Sequence, residues 1–139
     1  ETKDRKNRTK NHLDIEALAN FVKERGYKKL YLIGSSMGAG AVLKAAENLE
    51  TNGIIALAQY VDRQSKFSTP SKKTAKSITE KVLLVSARGD DSARHAIKLN
   101  KLIPNSELLM YEGKAHGMGI LKTSDSDDLK SKIFEFIEK

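Results

Sequence analysis

Residues 31–49 read YLIGSSMGAGAVLKAAENL. Tyr31, Leu32 and Ile33 favour a strand, whereas Ala39 to Leu49 is a strong helical pattern. Only Gly-Ser-Ser-Met-Gly separates the two, so strand and helix must meet in a very tight turn. The residue at the apex of that turn is Ser36.

Working outward, the same alternation continues along all 139 residues, a length that suits one domain with a single core. A helix over LDIEALANFVKERG carries Leu13, Ala17, Leu18, Phe21 and Val22 on its inward face, with Gly26 as its C-cap. KLYLIG, GIIALAQY, KVLLVSA and SELLMYE are four short apolar strands. The helix after Ser36 turns Val42, Leu43 and Ala46 inward, and Pro70 suits the opening of a short helix. ARHAIKLNKLI forms another helix, and the last one buries Leu129, Ile133, Phe134 and Ile137. The strands are continuous apolar runs, not alternating ones, which predicts an α/β fold with a parallel sheet covered by helices on both faces.

Composition excludes several classes. Hydrophobic content of 39% with 31% charged residues describes a globular domain, and no apolar run approaches a membrane span. With no cysteine there is neither a disulfide framework nor a thiolate metal site; the compartment stays open between cytosol and export. The net charge of +7 gathers partly in residues 1–11, expected as a basic, flexible arm on the domain spanning 1–139. That arm has no aromatic residue to stack on bases, so nucleic acid is not expected as a partner. No carboxylate or histidine spacing suggests a metal, and no phosphate-binding glycine loop suggests a cofactor.

Gly34-Ser35-Ser36-Met37-Gly38 matches G-x-S-x-G. A chain of this length meets the pattern by chance about one time in twenty, so context decides. The motif follows an expected strand and opens an expected helix, as a nucleophile elbow does. Strain at Ser36 would push its hydroxyl beyond the sheet edge, close packing would require glycine at 34 and 38, and the Met37 N–H could face an oxyanion. A serine hydroxyl needs a base. Of three histidines, His12 and His95 are expected to face solvent, whereas His116 lies in YEGKAHGMG just past the fourth strand, with Gly117 and Gly119 to free its loop.

On these residues the chain resembles the α/β-hydrolase superfamily, closest in style to small, lid-poor esterases of the dienelactone-hydrolase kind. The resemblance runs from about Leu13 to the end and implies the order nucleophile, acid, histidine after three successive strands. In LLVSARGDDS that implies Asp90 as the acid, with Asp91 one residue away as the alternative and Asp62 a weaker one. DDSA could also be a turn or helix cap.

The family's sheet has eight strands, and this chain supplies what resemble the fifth to eighth. The second oxyanion donor would lie ahead of Glu1, as would the strand neighbouring KLYLIG. A missing N-terminal segment or edge-to-edge self-association is therefore expected, with little activity from these residues alone. The function expected is a carboxylesterase-like serine hydrolase of small ester or acyl substrates, competent once completed. The rival is a non-catalytic domain of the same fold used for binding or assembly.

Overall fold

The computed structural model describes residues 5–63 and 66–139. A 3-10 helix over Arg5–Lys10 leads into α1 (Asn11–Glu24). Then follow β1 (Tyr31–Ser35), α2 (Met37–Ala45), β2 (Gly53–Leu57), α3 (Lys72–Ser77), β3 (Val82–Ala87), α4 (Ala93–Leu102) and β4 (Ser106–Tyr111). A 3-10 helix at Gly117–Lys122 and α5 (Ser126–Glu138) close the chain. The four strands form one parallel sheet in the order β1-β2-β3-β4. Because all run the same way, the loops that follow them emerge at one edge of the sheet.

Period-2 geometry divides the apolar strand residues between two faces. Leu32, Ile54, Ala56, Val82 and Leu84 pack with Leu43, Leu99 and Ile103. Ile55, Leu57, Leu83 and Val85 pack with Ile120, Leu129 and Phe136 on the other side. β2 and β3 are buried throughout, as continuous apolar runs require. β2 ends earlier than GIIALAQY suggests, because Ala58 turns left-handed (φ 54°). The short helix after Pro70 is opened by Ser71, whose hydroxyl accepts the Thr74 N–H at 3.0 Å.

Two expectations are corrected, and part of a third segment is described. In α1 the buried residue is Ala19, with Ile15 packed beside it, while Leu13, Leu18 and Phe21 are exposed, Leu18 by 63%. In α5 Phe136, not Phe134, is the buried aromatic. Residues 5–10 of the expected arm are helical, and the Arg8 carbonyl accepts the Ser68 N–H at 2.9 Å; residues 1–4 lie outside the described residues. Ile15, Leu18, Ala19 and Val22 of α1 line an apolar groove of about 340 Å³ against β1, where Ile33 is 51% exposed. Among the described residues no strand pairs with the outer edge of β1.

The glycines of the turn divide unexpectedly. A Cβ at Gly34 would stand 2.3 Å from the Gly38 carbonyl oxygen, so strand and helix do approach too closely there. A Cβ at Gly38 would meet nothing within 4 Å, contrary to expectation. The second crowded position is Gly40, whose Cβ would come 2.7 Å from the Ser68 carbonyl oxygen. In urea denaturation Gly34→Ala and Gly40→Ala should each cost about 2–4 kcal/mol. Gly38→Ala should be neutral or stabilising by up to about 1 kcal/mol, the helix-propensity gain.

Candidate active site

Ser36 sits between the last residue of β1 and the first of α2 with φ 54° and ψ −116°. A non-glycine residue in that region costs of order 1–3 kcal/mol unless its surroundings impose it. Here the Ser36 N–H is tied to the Leu57 carbonyl at 2.8 Å, extending the β1–β2 pairing through the turn. The Ser36 carbonyl accepts the Gly40 N–H at 3.3 Å, which starts α2. Met37 is the first helical residue, so its N–H belongs to the first turn, where amides lack intrahelical acceptors.

The loops after β3 and β4 bring two more candidates to this hydroxyl. His116 Nε2 lies 2.9 Å from Ser36 Oγ. On the other side of the ring, His116 Nδ1 is 3.0 Å from both carboxylate oxygens of Asp90. The two loops are joined where the Gly89 N–H donates to the Gly113 carbonyl at 2.8 Å. The Asp90 side chain is 12% exposed and that of His116 is 42% exposed. Burial pushes the Asp90 carboxyl up, but hydrogen bonds from Ser92 and His116 outweigh it and hold the group below its ordinary pKa. Asp90 is thus an anion facing Nδ1, which favours the tautomer with the proton there and leaves Nε2 to accept from Ser36.

The other acid candidates stand elsewhere. Asp91 is exposed, and Asp62 binds Lys98 Nζ at 2.9 Å and the Lys72 N–H at 3.1 Å. Neither remaining histidine is a simple solvent-facing group. His12 Nδ1 is 2.7 Å from Ser68 Oγ, and His95 packs edge-on against Tyr60 with Nδ1 accepting the Val61 N–H at 3.4 Å. Burial lowers the pKa of both, helped by Lys44 at His12 and by Arg63 at His95.

Two serines with no expected part hold the site together. Ser35 Oγ accepts the Met118 N–H at 3.1 Å, tying the histidine loop to the elbow. At Gly117 (φ 54°) a Cβ would fall 2.2 Å from that same oxygen, whereas Gly119 has room for one. Ser92 donates its hydroxyl to Asp90 Oδ2 and contacts Ser86 Oγ at 2.7 Å. The only sequence signal for Ser92 is its place in DDSA, the stretch that could also be a turn or helix cap.

This sheet, with a serine at a strained strand-to-helix turn and an imidazole from the loop after the last strand, has the α/β-hydrolase fold. Solved structures with the same fold include a predicted CIB-like hydrolase from Thermoplasma acidophilum. It is 22% identical, with a TM-score of 0.66 over 99% of this chain and 61% of that one. MenH from S. aureus is 15% identical, with a TM-score of 0.75 over 99% of this chain and 77% of that one. An esterase from Pyrococcus furiosus is 19% identical, with a TM-score of 0.72 over 91% and 60%. The chain therefore spans about three fifths of the length of the first and third. No protein-family model matches the sequence, and no curated protein matches it. No helix among the described residues is long and apolar enough to cross a membrane.

Two measurements follow from this geometry. Nitrogen-15 NMR of His116 should give a pyrrole-type signal for Nδ1 and a pyridine-type signal for Nε2. Asp90→Asn should disturb that pattern and Asp91→Asn should leave it alone. Separately, the lowered pKa values of His12 and His95 mean that the unfolded chain binds protons more readily. Their contribution to stability is present above the ordinary imidazole value near 6.5 and is lost as pH falls through and below it. The melting temperature should fall between about pH 7.5 and about pH 5, with a shallower decline in a His12→Gln/His95→Gln variant.

Proposed function

We propose that the chain carries the catalytic triad of a serine hydrolase acting on small esters or related acyl compounds. The observation that supports this reading is the unbroken line Ser36 Oγ–His116 Nε2 (2.9 Å), His116 Nδ1–Asp90 (3.0 Å). Ser36 Oγ attacks the acyl carbon while Nε2 takes its proton, and the carbonyl π-electrons move onto oxygen. The imidazolium then protonates the leaving alcohol as the tetrahedral adduct collapses to an acyl-enzyme. Water repeats the sequence, giving its proton to Nε2 and attacking the acyl carbon; the imidazolium returns a proton to Ser36 Oγ as the acid leaves. Asp90 stays ionised throughout and stabilises the imidazolium. The Met37 N–H is one donor for the oxyanion.

The space beside Ser36 bears on the substrate. A cavity of about 200 Å³ is lined by Ser36, Met37, Tyr60, Arg63, Phe67 and Thr69. That volume holds a short acyl or alcohol group and not a long fatty chain.

In the full natural protein a fluorophosphonate probe should label Ser36, and labelling should vanish in Ser36→Ala but survive in Ser35→Ala. His116→Ala and Asp90→Asn should each lower kcat by about 10⁴-fold with KM changed only a few-fold, because the lost interaction acts in the transition state. p-Nitrophenyl acetate or butyrate should be turned over far faster than the palmitate. A protein that neither reacts with the probe nor hydrolyses any of these esters would be the binding or assembly domain instead.

A further inference from the structure

Behind Asp90 lies a second hydrogen-bonded chain. Ser86, in β3, and Ser92 are both fully buried, and their hydroxyl oxygens are 2.7 Å apart. Ser92 Oγ also contacts Asp90 Oδ2, and its backbone N–H reaches the same oxygen at 3.3 Å. An ionised carboxylate only accepts, so the Ser92 proton must point to Asp90. Ser92 Oγ then accepts from Ser86, whose other acceptor, the Ala87 carbonyl, stands at the limit of 3.5 Å. Every proton in the chain points at the carboxylate. Protonating Asp90 would remove the charge that makes it a strong acceptor and so weaken the bond that orients the chain.

Ser92 occupies the N-cap position of α4, where a serine oxygen ordinarily accepts an N–H of the first helical turn. It makes no such bond. The His95 N–H, which such a cap would serve, goes to the Ser92 backbone carbonyl instead, at 3.0 Å. Its hydroxyl has therefore been turned away from the helix and toward the acid.

We propose that Ser92 is a positioning residue for Asp90, and that Ser86 in turn orients Ser92. Together the two hydroxyls keep the carboxylate ionised and aimed at His116 Nδ1, a role that rests on the hydrolase reading for its catalytic consequence. Asp90 carries His116 on one side and Ser92 on the other, so its orientation is set from both ends.

The test compares Ser92→Ala, Ser86→Ala and the unaltered full natural protein by two independent readouts, with thermal melts to confirm folding. The first follows the Asp90 carboxyl by carbon-13 NMR as pH is lowered. Its midpoint should move up in Ser92→Ala, because a bond favouring the charged form is lost, and move less in the same direction in Ser86→Ala. The second is turnover of p-nitrophenyl acetate, where Ser92→Ala should lower kcat about ten-fold and Ser86→Ala about two-fold, with KM unchanged; one net hydrogen bond sets that scale. Ser92→Thr, which keeps the hydroxyl, should recover the Asp90 midpoint. An unmoved midpoint in a folded Ser92→Ala protein overturns the proposal, whatever its activity. If the unaltered protein hydrolyses no ester, the hydrolase reading fails by itself, and the carboxyl titration still decides what Ser92 does.

Discussion

The close approach of β1 to α2 is the constraint on which the site depends. With a Cβ at Gly34 only 2.3 Å from the Gly38 carbonyl, any side chain there would force the helix off the strand. The turn would then have no reason to hold Ser36 at φ 54°. The Ser36 N–H bond to Leu57 works from the other direction, binding the turn to the neighbouring strand. Local strain at one residue is thereby maintained by packing between elements, a common arrangement where a side chain has to stand clear of a sheet.

The parallel sheet supplies the rest. β1, β3 and β4 each end at the same edge, and their following loops contribute Ser36, Asp90 and His116. Topology alone brings these loops near each other, but not to hydrogen-bonding distance. Small cross-links make up the difference: Gly89 to Gly113, and Ser35 to Met118. Backbone and hydroxyl groups do this work, which leaves the larger side chains free to line the cavity.

Much of this was legible in the sequence, for definite reasons. Continuous apolar runs separated by helical stretches encode a buried parallel sheet, and the four strands lie where those runs occur. Ser36 stood out because small residues crowd a junction between opposite backbone preferences, and His116 because its loop follows the last strand. The inward face of α1 was illegible. Leu13, Leu18 and Phe21 repeat at helical spacing as core residues do, yet all three are exposed, and Leu18 lines the open groove beside β1. Periodicity reports which residues share a face and is silent about whether that face is covered. Glycine roles were equally hidden, since Gly38 and Gly40 differ only in what passes nearby: open space at one and the Ser68 carbonyl at the other. His12, His95 and Ser92 owe their surroundings to residues distant in sequence or to a side-chain rotamer, neither of which a local pattern records.

The bond between Ser35 and Met118 also bears on motion. The residue just before the candidate nucleophile grips the residue two beyond the candidate base. Elbow and histidine loop are thus fastened at a point beside the reacting atoms, so breathing of the sheet edge carries both together. A displacement of one that leaves this bond intact must take the other with it, much as two tools on one jig keep their spacing when the bench shakes. Proton transfer depends steeply on distance, and a shared mount holds that distance steady without requiring the whole scaffold to be stiff.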